Sequence, residues 1–128
     1  MNTLKRCVLV VDDEPIIAEL WCMHLEIMGV EVCATAEAAE AAIALAREHR
    51  PAVVLMDVRL QGAKDGVDAA LAIAQSVGSK VIFVTGSRDP EAMARIRLLP
   101  QATTLFKPAS ERQLRSAILG ALGEAAAV

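Results

Sequence analysis

Ala52 to Asp57, AVVLMD, is the stretch that most narrows what this chain can become. Five apolar residues, two of them β-branched, run without alternation into one carboxylate, and RLQGAKDG follows with the composition of a loop. An apolar run this short and unbroken reads as a strand buried on both faces, the habit of a central strand in a parallel sheet. Asp57 then stands at its carboxyl end, the edge at which open α/β sheets bind ligands. A solvated strand-end acid or a cap for the next helix is the plainer reading of the same residue.

The rest of the chain repeats this pattern. Cys7–Val11 is a short apolar run that stops at Asp12-Asp13-Glu14-Pro15. Pro15 suits a first helical turn, and the acids before it suit the positive end of that helix. From Ile16, Ile17, Leu20, Trp21 and Met28 recur at helical spacing until Gly29. Val30–Thr35 reads as a second strand and Glu37–Arg50 as an alanine-rich helix closed by Pro51. After the strand Ala52–Asp57 come a helix over Gly66–Val77, a strand over Lys80–Thr85, and a helix opened by Asp89-Pro90 that stops by Pro100. Thr103–Phe106 is the fifth strand and Ser110–Leu122 the last helix. Five βα units in strict alternation predict a five-stranded parallel sheet with helices on both faces, the flavodoxin-like doubly wound architecture of order 2-1-3-4-5. One domain over residues 1–122 and a short tail over 123–128 are expected.

Composition excludes several roles. A net charge of −3 without a basic block, and aromatics at 2%, argue against a nucleic-acid or anionic-membrane surface. No window is apolar and long enough to span a bilayer, and the run ending at Val11 is too short for a signal peptide core. Cys7, Cys22 and Cys33 are odd in number and lack metal-ligand spacing, which predicts three small buried thiols in a reducing, cytoplasmic compartment.

Chemistry emerges at the strand ends. Strand one ends in Asp12 and Asp13, strand three in Asp57, strand four in Thr85 and strand five in Lys107. In order 2-1-3-4-5 these strands are neighbours, so the groups converge on one edge. Three carboxylates in one crevice repel one another unless a cation shares it, and oxygen-only ligands suit Mg²⁺. Lys107 adds a fixed positive charge and Thr85 a hydroxyl donor. That set can bind a phosphoryl group beside a metal and offers a carboxylate nucleophile.

VLVVDDEP, VVLMDVRL, VIFVTGS and LFKP, in this order and spacing, resemble the receiver domain of two-component response regulators over essentially the whole chain. The resemblance implies a stand-alone phosphorylatable switch that accepts a phosphoryl group on Asp57 from a sensor histidine kinase or histidine phosphotransfer protein and signals through altered contacts with a downstream protein. Such a domain catalyses only its own phosphorylation and dephosphorylation. It implies Asp13 as the main Mg²⁺ ligand, Asp12 beside it, the Arg59 backbone carbonyl completing the set with Asp57, and Thr85 and Lys107 on phosphoryl oxygens. It also implies a cis peptide before Pro108, a docking surface for the kinase at Glu14, Pro15, Ile16, Glu19 and Pro108, and dephosphorylation set at Arg59 and Ser87. Pairing with a second copy stays open.

The chain departs from the family pattern in two places. Thr104 stands where the family carries a switch aromatic, and Phe106 points away from Lys107 by strand alternation. Gln61 replaces the usual proline in a lengthened loop. Both are similar to stand-alone alphaproteobacterial receivers with a variant switch. Two alternatives remain: a phosphorylation-silent receiver acting as a binding module, and a phosphohydrolase of the haloacid dehalogenase type. The latter wants a second Asp where Arg59 stands. His24 and His49 fall on helices away from the crevice, Glu37, Asp65, Asp68 and Asp89 read as caps or solvated helix starts, and Trp21 packs in the core or anchors a partner at its edge.

Overall fold

The computed structural model describes residues 3–123. The elements are β1 (Lys5–Val11), α1 (Pro15–Ile27), β2 (Val32–Ala36), α2 (Ala39–His49), β3 (Pro51–Met56), α3 (Gly66–Ser76), β4 (Lys80–Thr85), α4 (Pro90–Ile96), β5 (Thr103–Phe106) and α5 (Glu111–Ala121). The strands form one parallel sheet in the order β2-β1-β3-β4-β5, as the alternation of runs predicts.

Period-two alternation sorts the strand side chains into two cores. Leu9, Val11, Val54, Met56, Val81 and Phe83 face α2, α3 and α4, while Val8, Val10, Val53, Leu55, Ile82 and Val84 face α1 and α5. With both faces covered, the stretches Cys7–Val11, Ala52–Met56 and Val81–Val84 of these strands are apolar at every position, which is why they show in the sequence as unbroken runs.

Several boundaries differ from the sequence reading, most clearly in β1, β2, α2 and β3. β1 starts at Lys5, where the N–H donates to Arg50 O at 2.8 Å, although Lys5 and Arg6 are exposed and carry no hydropathy signal. β2 starts at Val32 because Val30, buried at 2% exposure, closes α1 instead: its N–H donates to Leu25 O, next to Gly29 at φ +76°. An apolar residue after a left-handed glycine is a helix stop, and in sequence it is indistinguishable from a strand start. α2 is shorter than Glu37–Arg50; Ala38 takes its N-cap position and Arg50 turns left-handed at φ 50°, before Pro51. Asp57 lies one residue beyond β3, which begins at Pro51, a position where a strand tolerates a missing N–H.

The cap expectations divide. Asp65 and Asp68 form a capping box at α3, whereas Glu37 caps nothing and Asp89, though at the N-cap of α4, makes no side-chain cap bond. Trp21 is buried. Of the three free thiols only Cys7 is buried; Cys22 and Cys33 are partly exposed, and burial still pushes Cys33 up to about 12. Gly123 closes α5, and residues 124–128 of the expected tail lie outside the described residues. No helix among the described residues is long and apolar enough to cross a membrane.

Candidate functional site

Parallel pairing delivers the polar groups to one edge. The backbone continues the sheet just past the strands: Asp12 N–H donates to Ala36 O at 3.1 Å, Asp57 N–H to Val11 O at 3.0 Å, and Lys107 N–H to Thr85 O at 2.9 Å. Asp12, Asp57 and Thr85 are therefore held by main chain and buried at 0%, 6% and 1% exposure. Carboxylate oxygens of Asp12, Asp13 and Asp57 lie within 4.8 Å of one another, the one such acidic group among the described residues.

Lys107 closes the crevice from β5. Its Nζ donates to Asp57 Oδ2 at 3.1 Å and to Asp12 Oδ2 at 3.4 Å, and sits 5.4 Å from the centroid of the Trp21 ring. Asp12 Oδ1 accepts from Glu14 N–H at 2.8 Å, and Asp57 Oδ1 accepts from Arg59 N–H at 3.3 Å. Thr85 Oγ1 accepts from Ser87 N–H at 3.1 Å, which leaves its hydroxyl hydrogen to donate into the cleft. Asp13, Glu14, Asp57, Arg59, Thr85, Gly86, Ser87 and Lys107 line an open cleft of about 420 Å³. At Gly86 even a Cβ would meet nothing within 4 Å, so entry there is unobstructed.

The charges are unbalanced. Burial pushes the Asp12 carboxyl up, and neighbouring Asp57 adds to that against the Glu14 N–H and Lys107. Burial works to lower Lys107, yet its bonds and Coulomb attraction to Asp57 and Asp12 outweigh it and hold the ammonium above the ordinary lysine value. One ammonium facing three carboxylates leaves negative charge over, and the donors are all oxygen. That chemistry fits a hard dication such as Mg²⁺ beside Asp12, Asp13 and Asp57.

All six residues singled out from the strand ends and the loop, Asp12, Asp13, Asp57, Arg59, Thr85 and Lys107, thus meet at one edge. His24 and His49 do not line the cleft: His24 borders a small space beside Trp21 and Leu114, and His49 lies next to Glu48 at the far end of α2. Phe106 lies under the Arg88 guanidinium, 3.9 Å from the ring centroid, and not in the cleft. The Lys107–Pro108 peptide is cis. The loop after Asp57 is pinned to α2 by an Ala38–Gln61 bridge and a Lys64–Glu40 ion pair at 2.8 Å. Two further features carry no signal of their own in the sequence: Gly66, whose Cβ would fall 1.9 Å from Asp57 O, and Arg95, which binds Asp65 and Asp68.

Fold and site together define a doubly wound α/β domain with an open, acid-lined crevice at the carboxyl edge of its sheet. The family model of the response regulator receiver domain matches residues 8–119, and the chain belongs to that family. It is 32% identical over 115 residues to the transcriptional regulatory protein PdtaR of Mycobacterium tuberculosis, covering 90% of this chain and 56% of that protein. To the DNA-binding response regulator MtrA of Mycolicibacterium smegmatis it is 32% identical over 89 residues, 70% of this chain and 38% of the relative. The chain thus spans 38% and 56% of the length of these two curated relatives. Among solved structures, a CheY-like receiver domain from Methanospirillum hungatei superposes with a TM-score of 0.82 at 28% identity, over 94% of this chain and 95% of the other. The signal receiver domain of a modulated diguanylate cyclase from Desulfovibrio desulfuricans does so with 0.85 at 32%, over 91% and 92%.

Proposed function

We propose that this receiver domain is a phosphoryl-accepting switch with Asp57 as its acceptor. The observation that carries the reading is the clustered trio of buried Asp12 and Asp57 and half-buried Asp13, with Lys107 bridging two of its members. Asp57 attacks phosphorus in line; its Oδ–P bond forms as the bond from phosphorus to the donor imidazole nitrogen breaks, and the imidazole keeps that electron pair. The donor histidine belongs to a sensor kinase or a histidine phosphotransfer protein, docked at Glu14, Pro15, Ile16, Glu19 and Pro108. Asp12, Asp13, Asp57 and the Arg59 carbonyl would hold Mg²⁺, which when bound would supply charge neutralisation for the transferring group. Lys107 passes from the free carboxylate to a phosphoryl oxygen, and Thr85 donates its hydroxyl hydrogen to another, so each stabilises charge that develops only on transfer.

The domain comprises residues 1–122, acts in the cytoplasm and changes its own covalent state rather than a substrate's. Its output passes to a protein partner or, on pairing, to a second copy. Arg59 and Ser87 flank the cleft and tune the lifetime of the phosphoaspartate.

Intact mass after incubation with acetyl phosphate, with and without Mg²⁺, tests the reading on wild type and Asp57→Asn. A metal-dependent gain of one phosphoryl group that Asp57→Asn loses is expected. No gain, together with no effect of Mg²⁺ or beryllofluoride on the fluorescence of Trp21, the chain's one tryptophan and a neighbour of Lys107, would leave a phosphorylation-silent binding module.

A further inference from the structure

Arg95 stands outside the cleft, on α4, and no step above uses it. Its guanidinium crosses to the start of α3, where Nη1 donates to Asp65 Oδ2 at 2.8 Å and Nη2 donates to Asp65 Oδ1 at 3.3 Å and Asp68 Oδ1 at 2.6 Å. Both carboxylates already belong to the α3 capping box, in which Asp65 accepts from Asp68 N–H and Asp68 accepts from Asp65 N–H. A fork on both oxygens of one carboxylate fixes direction as well as distance. With side chains 29% and 33% exposed, the Arg95–Asp65 pair is also better shielded than an ordinary surface pair.

Behind this box lies the phosphoacceptor. Gly66, the residue after Asp65, donates its N–H to Val58 O at 2.7 Å and packs so close to Asp57 O that a Cβ would fall 1.9 Å from it. The first turn of α3 thus bears directly on the Asp57 main chain. At its other end α4 leads back to Thr85 through two bonds: Asp89 N–H to Ser87 Oγ at 3.3 Å and Ser87 N–H to Thr85 Oγ1 at 3.1 Å. Packing alone holds α4 weakly, since its seven residues bury only Ala92 and Ile96.

We infer that Arg95 is a positioning residue for phosphoryl transfer: by clamping α4 to the α3 cap it sets the separation of Asp57 from the Thr85 hydroxyl. The inference rests on the phosphoacceptor reading. Because the clamp depends on the planar fork and not on charge alone, lysine cannot replace it. Because it acts on geometry at the reacting atoms and touches no donor, its loss lowers the maximal rate and leaves the half-saturating donor concentration unchanged.

The experiment follows phosphoryl gain by intact mass across a series of acetyl phosphate concentrations at saturating Mg²⁺, with thermal unfolding of each protein recorded. Arg95→Gln and Arg95→Lys should each lose about tenfold in maximal rate, a modest share of what misplacement of reacting groups costs. Adding Asp65→Asn to Arg95→Gln should lower the rate no further, since both break one link. Wild-type rates in either single variant, a raised half-saturating concentration, or multiplied losses in the double variant would overturn the inference. Should Arg95→Gln be unfolded at the assay temperature, Arg95→Lys, which keeps the charge, carries the same comparison. A wild type that gains no phosphoryl group overturns the phosphoacceptor reading and this inference with it; one that gains it while Arg95→Lys matches it overturns the inference alone.

Discussion

Helices α3 and α4 lie on the same face of the sheet and are held there by different forces. α3 buries Gly66, Val67, Ala69, Ala70 and Ile73 and carries a complete capping box. α4 buries Ala92 and Ile96, and Asp89 at its N-cap makes no side-chain cap bond. Beyond that packing, Arg95 ties α4 itself to the α3 cap, and Arg88, in the loop before α4, lies over the Phe106 ring. A fully buried aliphatic side chain contributes about 1.5–3 kcal/mol, whereas an exposed cation–π pair contributes about 0.5–1 kcal/mol. α3 is therefore a fixed platform beneath Asp57, and α4 is the element that costs least to displace.

Gly66→Ala strikes the platform hardest. Its Cβ would overlap Asp57 O, a main-chain atom that cannot move aside, so a loss of about 3 kcal/mol or more is expected in denaturant unfolding. Truncating one apolar anchor in each helix comes next. Ile73→Ala, at a fully buried site, should cost about 3–4 kcal/mol and Ile96→Ala, at a partly relieved one, about 2 kcal/mol. Equal costs would mean that packing holds the two helices alike. Removing the caps separates them further: Asp65→Ala should cost about 1–2 kcal/mol, and Asp89→Ala no more than about 0.5 kcal/mol because no cap bond is lost.

The smallest effect is on pH dependence. Burial alone would raise Asp65, but Arg95 and the main-chain N–H groups hold its carboxyl below the ordinary 3.8. Its contribution to stability is thus fully present above pH 3.8 and is lost as pH falls through the lower native value. Asp12 has the opposite sign: with its carboxyl raised by burial, it lowers stability as pH rises from 3.8 through the native value. Thermal midpoints across the acid range should lose their low-pH decline in part in Asp65→Asn, and show a steeper one in Asp12→Asn. Asp65→Asn that tracks wild type throughout would detach the α3 cap from α4.

The core and the site's main groups were legible in the sequence for one physical reason. A strand buried on both faces must be apolar throughout, so β1, β3 and β4 announce themselves, and the acids, Thr85 and Lys107 at or just past the strand ends mark the carboxyl edge. Half-exposed segments give weaker signals, and there the reading slipped: Lys5 and Arg6 hid the start of β1, and Val30 looked like a strand while serving as a helix stop. Glu37 and Asp89 have the residue type of a cap and make no cap bond, because a cap depends on local backbone geometry as well as composition.

The order of elements, the two-faced core and the identity of the crevice groups were therefore set by the chain's local chemistry, since each depends on neighbours a few residues away. Tertiary structure alone decided that Gly66 presses on Asp57, that Lys107 bridges Asp12 and Asp57 rather than one of them, and that Arg95 closes on an α3 cap 27 and 30 residues before it. Such contacts are made between groups that share no local pattern, and only the packing of α4 beside α3 brings them within hydrogen-bond reach.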